Sequence, residues 1–123
     1  MTNPFKDQRT FMQACDQTVH DFNIDQFLLY INLIKEECAE LQEAMNNNDQ
    51  VETLDALIDI LVVTVGAIHS MGADGEGAWR EVMRSNLSKI EPITGKVRKR
   101  EDGKVLKPNF WQAPQLGQFL NKK

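Results

Sequence analysis

The sequence predicts an all-α protein: a short four-helix bundle whose second and third helices form an antiparallel acidic hairpin, followed by a hairpin-like tail. Three observations carry this reading. Apolar residues recur at helical spacing in four stretches between about residues 6 and 90. Turn-forming clusters, "NNNDQ" at 46–50 and "MGADGEG" at 71–77, separate the last three stretches. Strand-like patterning appears only after Pro92. At 123 residues the chain suits a single domain over 1–123, with a helical core over about 6–90 and an extended tail over 91–123.

The first helix is expected from about Lys6 to Val19, with Phe11, Met12 and Cys15 on one side. Asp25 is the expected N-cap of the second, which runs to about Met45. The third spans about Val51 to Ser70 and stops at Gly72, a natural C-cap. Asp74 is positioned to cap the fourth, which runs to about Ile90. In "GKVRKREDGKVLKP" (95–108) valines flank Asp102-Gly103, a hairpin turn pair. The final "NFWQAPQLGQFLNKK" reads as an irregular tail packing Phe110 and Trp111 on a neighbouring surface. His20 and His69 read as structural, and Trp79 as core or interface.

Composition narrows the class. The chain is 41% hydrophobic and 26% charged, which is globular rather than disordered, and its net charge of −4 argues against general nucleic-acid binding. The N-terminal MTNPFKDQRT has no signal-peptide pattern, and the apolar run Ile60–Ile68 is too short to span a bilayer. Cys15 and Cys38 sit in helical patterns without metal-like spacing, as reduced thiols of a cytoplasmic protein do.

The chemistry lies in "LIKEECAELQEAM", residues 33–45. Glu37 falls on the apolar face, with Leu33 and Leu41 one turn either side and Tyr30, Ile34 and Ala44 on the same face. Glu36, Glu37 and Glu40 occupy an arc of about 100°, while Glu43 points further round. On the third helix Glu52, Asp55 and Asp59 fall within an arc of about 60°, and their stripe continues into Val63 and Gly66. Eleven residues separate Glu40 from Glu52, so the helices form a hairpin in which Glu37 and Glu40 meet Glu52 and Asp55. Buried carboxylates in that number need a counter-charge, and an all-oxygen set without His or Cys favours Mg²⁺, with Mn²⁺ able to substitute. Without such burial, each acidic pair would be an ordinary solvated helix face.

These residues form a recognisable pattern. "KEECAELQEA" followed by "VETLDALIDILVVTVGAI" resembles the E-x-x-E, spacer, E-x-x-D signature of the all-α nucleoside triphosphate pyrophosphohydrolases, the MazG-like proteins and the phosphoribosyl-ATP pyrophosphohydrolases. Glu37 and Glu40 match the first motif, with Glu36 as an extra acid; Glu52 and Asp55 match the second, with Asp59 one turn on. "REVMRSNLSKI" (80–90) and "REDGKVLKPNFWQAPQL" (100–116) resemble the last helix and tail of the same branch, so the likeness covers about residues 25 to 116. It implies Mg²⁺-dependent hydrolysis between the α- and β-phosphates of a (d)NTP, giving a monophosphate and pyrophosphate in nucleotide-pool housekeeping. It also implies a homodimer or homotetramer.

On this reading Glu37, Glu40, Glu52 and Asp55 are the metal ligands and Glu36 is the candidate general base, making Glu36 and Glu37 the expected catalytic pair. Arg84, Asn86 and Lys89 are expected to bind the nucleotide or its phosphates. Phosphoribosyl-ATP is the alternative substrate. A rival class is a regulatory or nucleic-acid-binding protein, suggested by six basic residues (Lys96, Arg98, Lys99, Arg100, Lys104 and Lys107) against two acids in the tail. A third is a helical adaptor whose acids make only surface ion pairs. Stable nucleic-acid binding and membrane association are not expected.

Overall fold

A computed structural model describes residues 2–120. Among these it contains four α-helices, α1 (Pro4–Ala14), α2 (Ile24–Asn46), α3 (Gln50–Ser70) and α4 (Gly75–Leu87), one 3₁₀ turn at Gly117–Phe119, and no extended strand. The small all-helical bundle expected from the sequence is the fold found. The chain divides into two compact units, the first ending at Gly75 and the second running from Glu76 to Phe119.

In the first unit α3 packs along α2 and also touches α1. Met12, Val19, Tyr30 and Ala67 form its buried centre, with Phe27, Ile31, Leu33, Ile34 and Val63 packed around it. Gly66 sets the closest approach of the hairpin: a Cβ there would lie 2.3 Å from the Tyr30 ring. Tyr30 is fixed in turn by donating its hydroxyl to Gln17 Oε1 at 2.6 Å. His69 is fully buried, with Nε2 2.8 Å from the Phe5 carbonyl oxygen, in the structural role expected of it.

Several boundaries differ from expectation. α1 stops at Ala14 because Asp16 turns left-handed (φ 56°), and Gln17 and Asp16 donate back to Met12 and Gln13 in a Schellman closure. The N-cap of α2 is Asn23 rather than Asp25. Its Oδ1 accepts from Gln26 N at 3.1 Å, which leaves Asp25 in the first turn, where its charge favours the helix dipole. Asn48 (φ 52°) closes α2 in the same way as Asp16 closes α1, and Asp49 then caps α3 by accepting from Glu52 N. The fourth helix ends at Leu87; Lys89 and Ile90 donate only three residues back, tightening the last turn.

In the second unit the tail folds back on α4. Ser85, nearly fully buried, donates to the Gln112 carbonyl at 2.8 Å, and Trp111 Nε1 donates to the Ser85 carbonyl at 3.1 Å. The hairpin-like segment is minimal, a single antiparallel bridge between Lys99 and Val105 closed over Arg100–Gly103. Trp111 packs as expected, but Phe110 and Trp79 are each more than half exposed.

Candidate active site

The α2–α3 hairpin brings acids from both helices together. Glu37 Oε2 is buried without a hydrogen-bond partner. Burial, the adjacent Glu40 carboxyl, and the charges of Asp59 and Asp55 push Glu37 up to about 7. Asp59 is also raised, by burial first and then by Asp55 and Glu40. The four groups therefore feel one another across the hairpin, and ionising all of them at once is unfavourable.

Local sequence places each of them. Glu37 and Glu40 are one turn apart on α2, and Asp55 and Asp59 one turn apart on α3. Ala56 and Ala44, both buried, are small enough to let the helix backbones come close at this end. Glu52 stands nearer the turn, where it lines an open cavity of about 400 Å³ with Glu40, Glu43, Asn47 and Asp49. Glu40, itself exposed, thus belongs to both the carboxylate cluster and this acidic cavity.

Of the expected set, Glu37, Glu40 and Asp55 act on one another, joined by Asp59, while Glu52 meets them only at the cavity it shares with Glu40. Asp59, noted in the sequence only as an acid one turn beyond the motif, is the α3 carboxylate most affected by its neighbours. The signal was its i, i+4 spacing from Asp55 on a face that becomes apolar. Glu36 is exposed, on the solvent side of Glu37.

The donor chemistry suits a divalent cation. The cluster offers only carboxylate oxygens, and one of them is buried with nothing to bond. Among the described residues no three His, Cys, Asp or Glu side chains stand close enough together to hold a metal ion as they are placed. Carboxylate oxygens are the donors that Mg²⁺ takes, in a shell completed by waters and phosphates.

The residues expected to bind phosphate lie in the second unit. Arg84 makes a two-pronged bond to Glu81, 2.6 Å from Nε and 3.0 Å from a terminal nitrogen. Glu81 also accepts from Gln115 N at 2.6 Å, and the two partners hold its carboxyl down at about 2. Arg84 therefore secures the tail through Glu81, an i, i+3 pair readable in the sequence. Lys89 Nζ donates to Asn86 Oδ1 at 3.2 Å and lies over the Trp111 ring.

No curated protein matches the sequence. The family model described as phosphoribosyl-ATP pyrophosphohydrolase matches residues 8–86, which contain α2, α3, all the clustered acids and nearly all of α4. The chain belongs to this family, within the all-α MazG-like superfamily, and is a pyrophosphohydrolase acting on phosphoric anhydrides.

Proposed function

We propose that the protein hydrolyses the α–β anhydride of a nucleoside triphosphate, releasing pyrophosphate and a monophosphate, with Mg²⁺ held by the α2–α3 acids. The carrying observation is the buried, unpartnered oxygen of Glu37 among Glu40, Asp55 and Asp59. A group in that setting is relieved by a proton or, once ionised, by a cation opposite it. Glu37, Glu40, Asp55 and Asp59 would hold the cation, with Glu52 reaching it from the acidic cavity. A divalent cation bound there supplies charge neutralisation for the polyphosphate.

The other steps belong to side chains of the chain itself. Glu36, exposed beside the cluster, is the candidate to take a proton from the attacking water, and Glu37, titrating near neutrality, is matched to the same task when it carries no cation. Lys89 and Asn86 are the proposed contacts to the nucleotide or its phosphates. Arg84 is proposed to act with them by keeping Glu81 and the tail in place.

Phosphoribosyl-ATP is the second reading, favoured by the family that matches. It carries the same α–β anhydride, so cleavage again releases pyrophosphate. A homodimer or homotetramer fits the apolar stripe of Val51, Leu54, Ile58 and Leu61, each between 44% and 77% exposed on α3. No helix of the described residues is long and apolar enough to cross a membrane; the cytoplasm is the proposed compartment.

The test is a panel of (d)NTPs and phosphoribosyl-ATP, with pyrophosphate and orthophosphate measured separately. Pyrophosphate release that stops with chelator supports the reading, and its ranking across the panel names the substrate. Orthophosphate as the first product refutes it.

A further inference from the structure

The chain's charge is divided. Residues 76–119 hold nine Lys and Arg against five Asp and Glu, although the whole chain is at −4. Three of those nine cations, Lys89, Arg98 and Lys107, line a concave site of about 250 Å³ in the second unit, together with Glu91 and Phe110.

The three cations there are unequally neutralised. Arg98 Nε donates to Glu91 at 2.8 Å, which orients the guanidinium and leaves its terminal amines outside that bond. Lys89 and Lys107 both rest on Trp111, their ammonium groups 5.6 and 4.5 Å from the ring centroid. Among the described residues neither has a carboxylate partner in the ion pairs formed. Two ammonium groups held near one indole repel each other, and a bound anion offsets that repulsion. Concave walls strengthen the attraction by focusing the field. Lysine supplies point charges and arginine a planar fork, the combination that grips phosphate oxygens.

We propose that the Lys89–Arg98–Lys107 cavity is an oligophosphate-binding site, taking a pyrophosphate or triphosphate group directly and without a metal ion. Arg98 and Lys107 lie beyond the matched family segment of residues 8–86. The site deepens the reading above at Lys89, and rests on it only for whose phosphates are bound. A compact anion fits the small concavity that these three cations line better than an extended nucleic-acid strand does.

The experiment is calorimetric titration of the whole protein with inorganic tripolyphosphate in EDTA, at about 0.1 M salt, where long-range attraction is screened. Trp79→Phe leaves Trp111 as the sole tryptophan for a parallel fluorescence reading. The expected result is saturable binding of one anion per chain with a change in Trp111 emission. The Arg98→Gln/Lys107→Gln double variant weakens it at least tenfold, whereas the charge-conserving Lys107→Arg keeps most of the affinity. Lys6→Gln/Lys35→Gln, the same charge change at two exposed positions of the first unit, alters it less than twofold. Absence of saturable heat overturns the proposal. So does unchanged affinity in a double variant with normal circular dichroism, or a DNA duplex competing as well as tripolyphosphate at equal phosphate concentration. No turnover is measured, so failure here leaves the pyrophosphate-release assay standing, and the reverse.

Discussion

Replacing Glu37 with Gln separates the cost of the acidic cluster from its use. The amide is nearly isosteric and cannot ionise. A carboxyl lifted from 4.5 to about 7 disfavours its charged form by roughly 3 kcal/mol at most. The side chain is only partly buried, so solvent screening reduces this to about 1–2 kcal/mol. Because the native carboxyl binds its proton more tightly than the unfolded one, the native state holds more protons between pH 4.5 and 7. Metal-free wild type therefore loses stability as pH rises through that window and levels off above it. Glu37→Gln should flatten this fall and melt ~3–8 °C higher than wild type at pH 8 in EDTA. Its pyrophosphate release should drop on the order of 100-fold or more, as the loss of a group stabilising developing charge does. Mg²⁺ should raise the wild-type melting temperature more than that of the variant. Scanning calorimetry with and without Mg²⁺ and the release assay read all three. Equal melting at pH 8 together with undiminished turnover would refute the placement of Glu37 in a cation site.

Asp59→Asn should reduce turnover more than Glu52→Gln, because Asp59 is coupled to Asp55 and Glu40 while Glu52 lines the open cavity; kcat/KM for the two variants decides it. Glu36→Gln should change the pH profile of kcat and leave the Mg²⁺-dependent melting shift intact, as a base does and a ligand does not. Acidification should loosen the tail from α4: the Glu81 carboxyl sits at about 2, so its favourable contacts are complete above its ordinary 4.5 and vanish as pH falls toward 2. Trp111 emission followed from pH 5 to 2 shows this, and Glu81→Gln should display the loosened signal already at pH 7. Gly66→Ala should destabilise the protein by about 1–3 kcal/mol in denaturant unfolding, since its Cβ meets the buried Tyr30 ring at 2.3–2.7 Å.

Much of this was visible in the sequence because it is local. Helical spacing, the turn at 46–50 and the acids on one face of α3 depend on neighbours within a few residues. The misplacements arose where a distant partner decided the outcome. Val19 is a core residue, so its apolar character extends the apparent pattern of α1, yet it reaches the core from a segment beyond the helix. Asn23 and Asp25 are both good caps. Asn23 prevails in a setting that its own helix does not reveal, donating to Thr18 Oγ1 at 3.1 Å while Gln26 bonds Thr18 and Ser70. Asp59 could be placed on the acidic face, but its burial depends on α2 lying against α3. The basic cavity has no periodicity at all, being assembled by the bond of Trp111 to Ser85 twenty-six residues away.

On the proposed function, the division of charge suits the substrate class. A polyphosphate is repelled by carboxylates and reaches them only through a cation, so acids placed for chemistry make a poor first contact. Ammonium and guanidinium groups attract the same anion with no intermediary. A nearby cation changes what a carboxylate does, as Glu81 shows: with Arg84 opposite, its carboxyl falls to about 2 and it holds the tail on α4. Glu37 lacks such a partner and rises to about 7. The same side chain thus becomes a fixed strut or a waiting ligand according to the nearest cation in the chain, and Glu37 remains available to an external one because helices α2 and α3 present it to other acids.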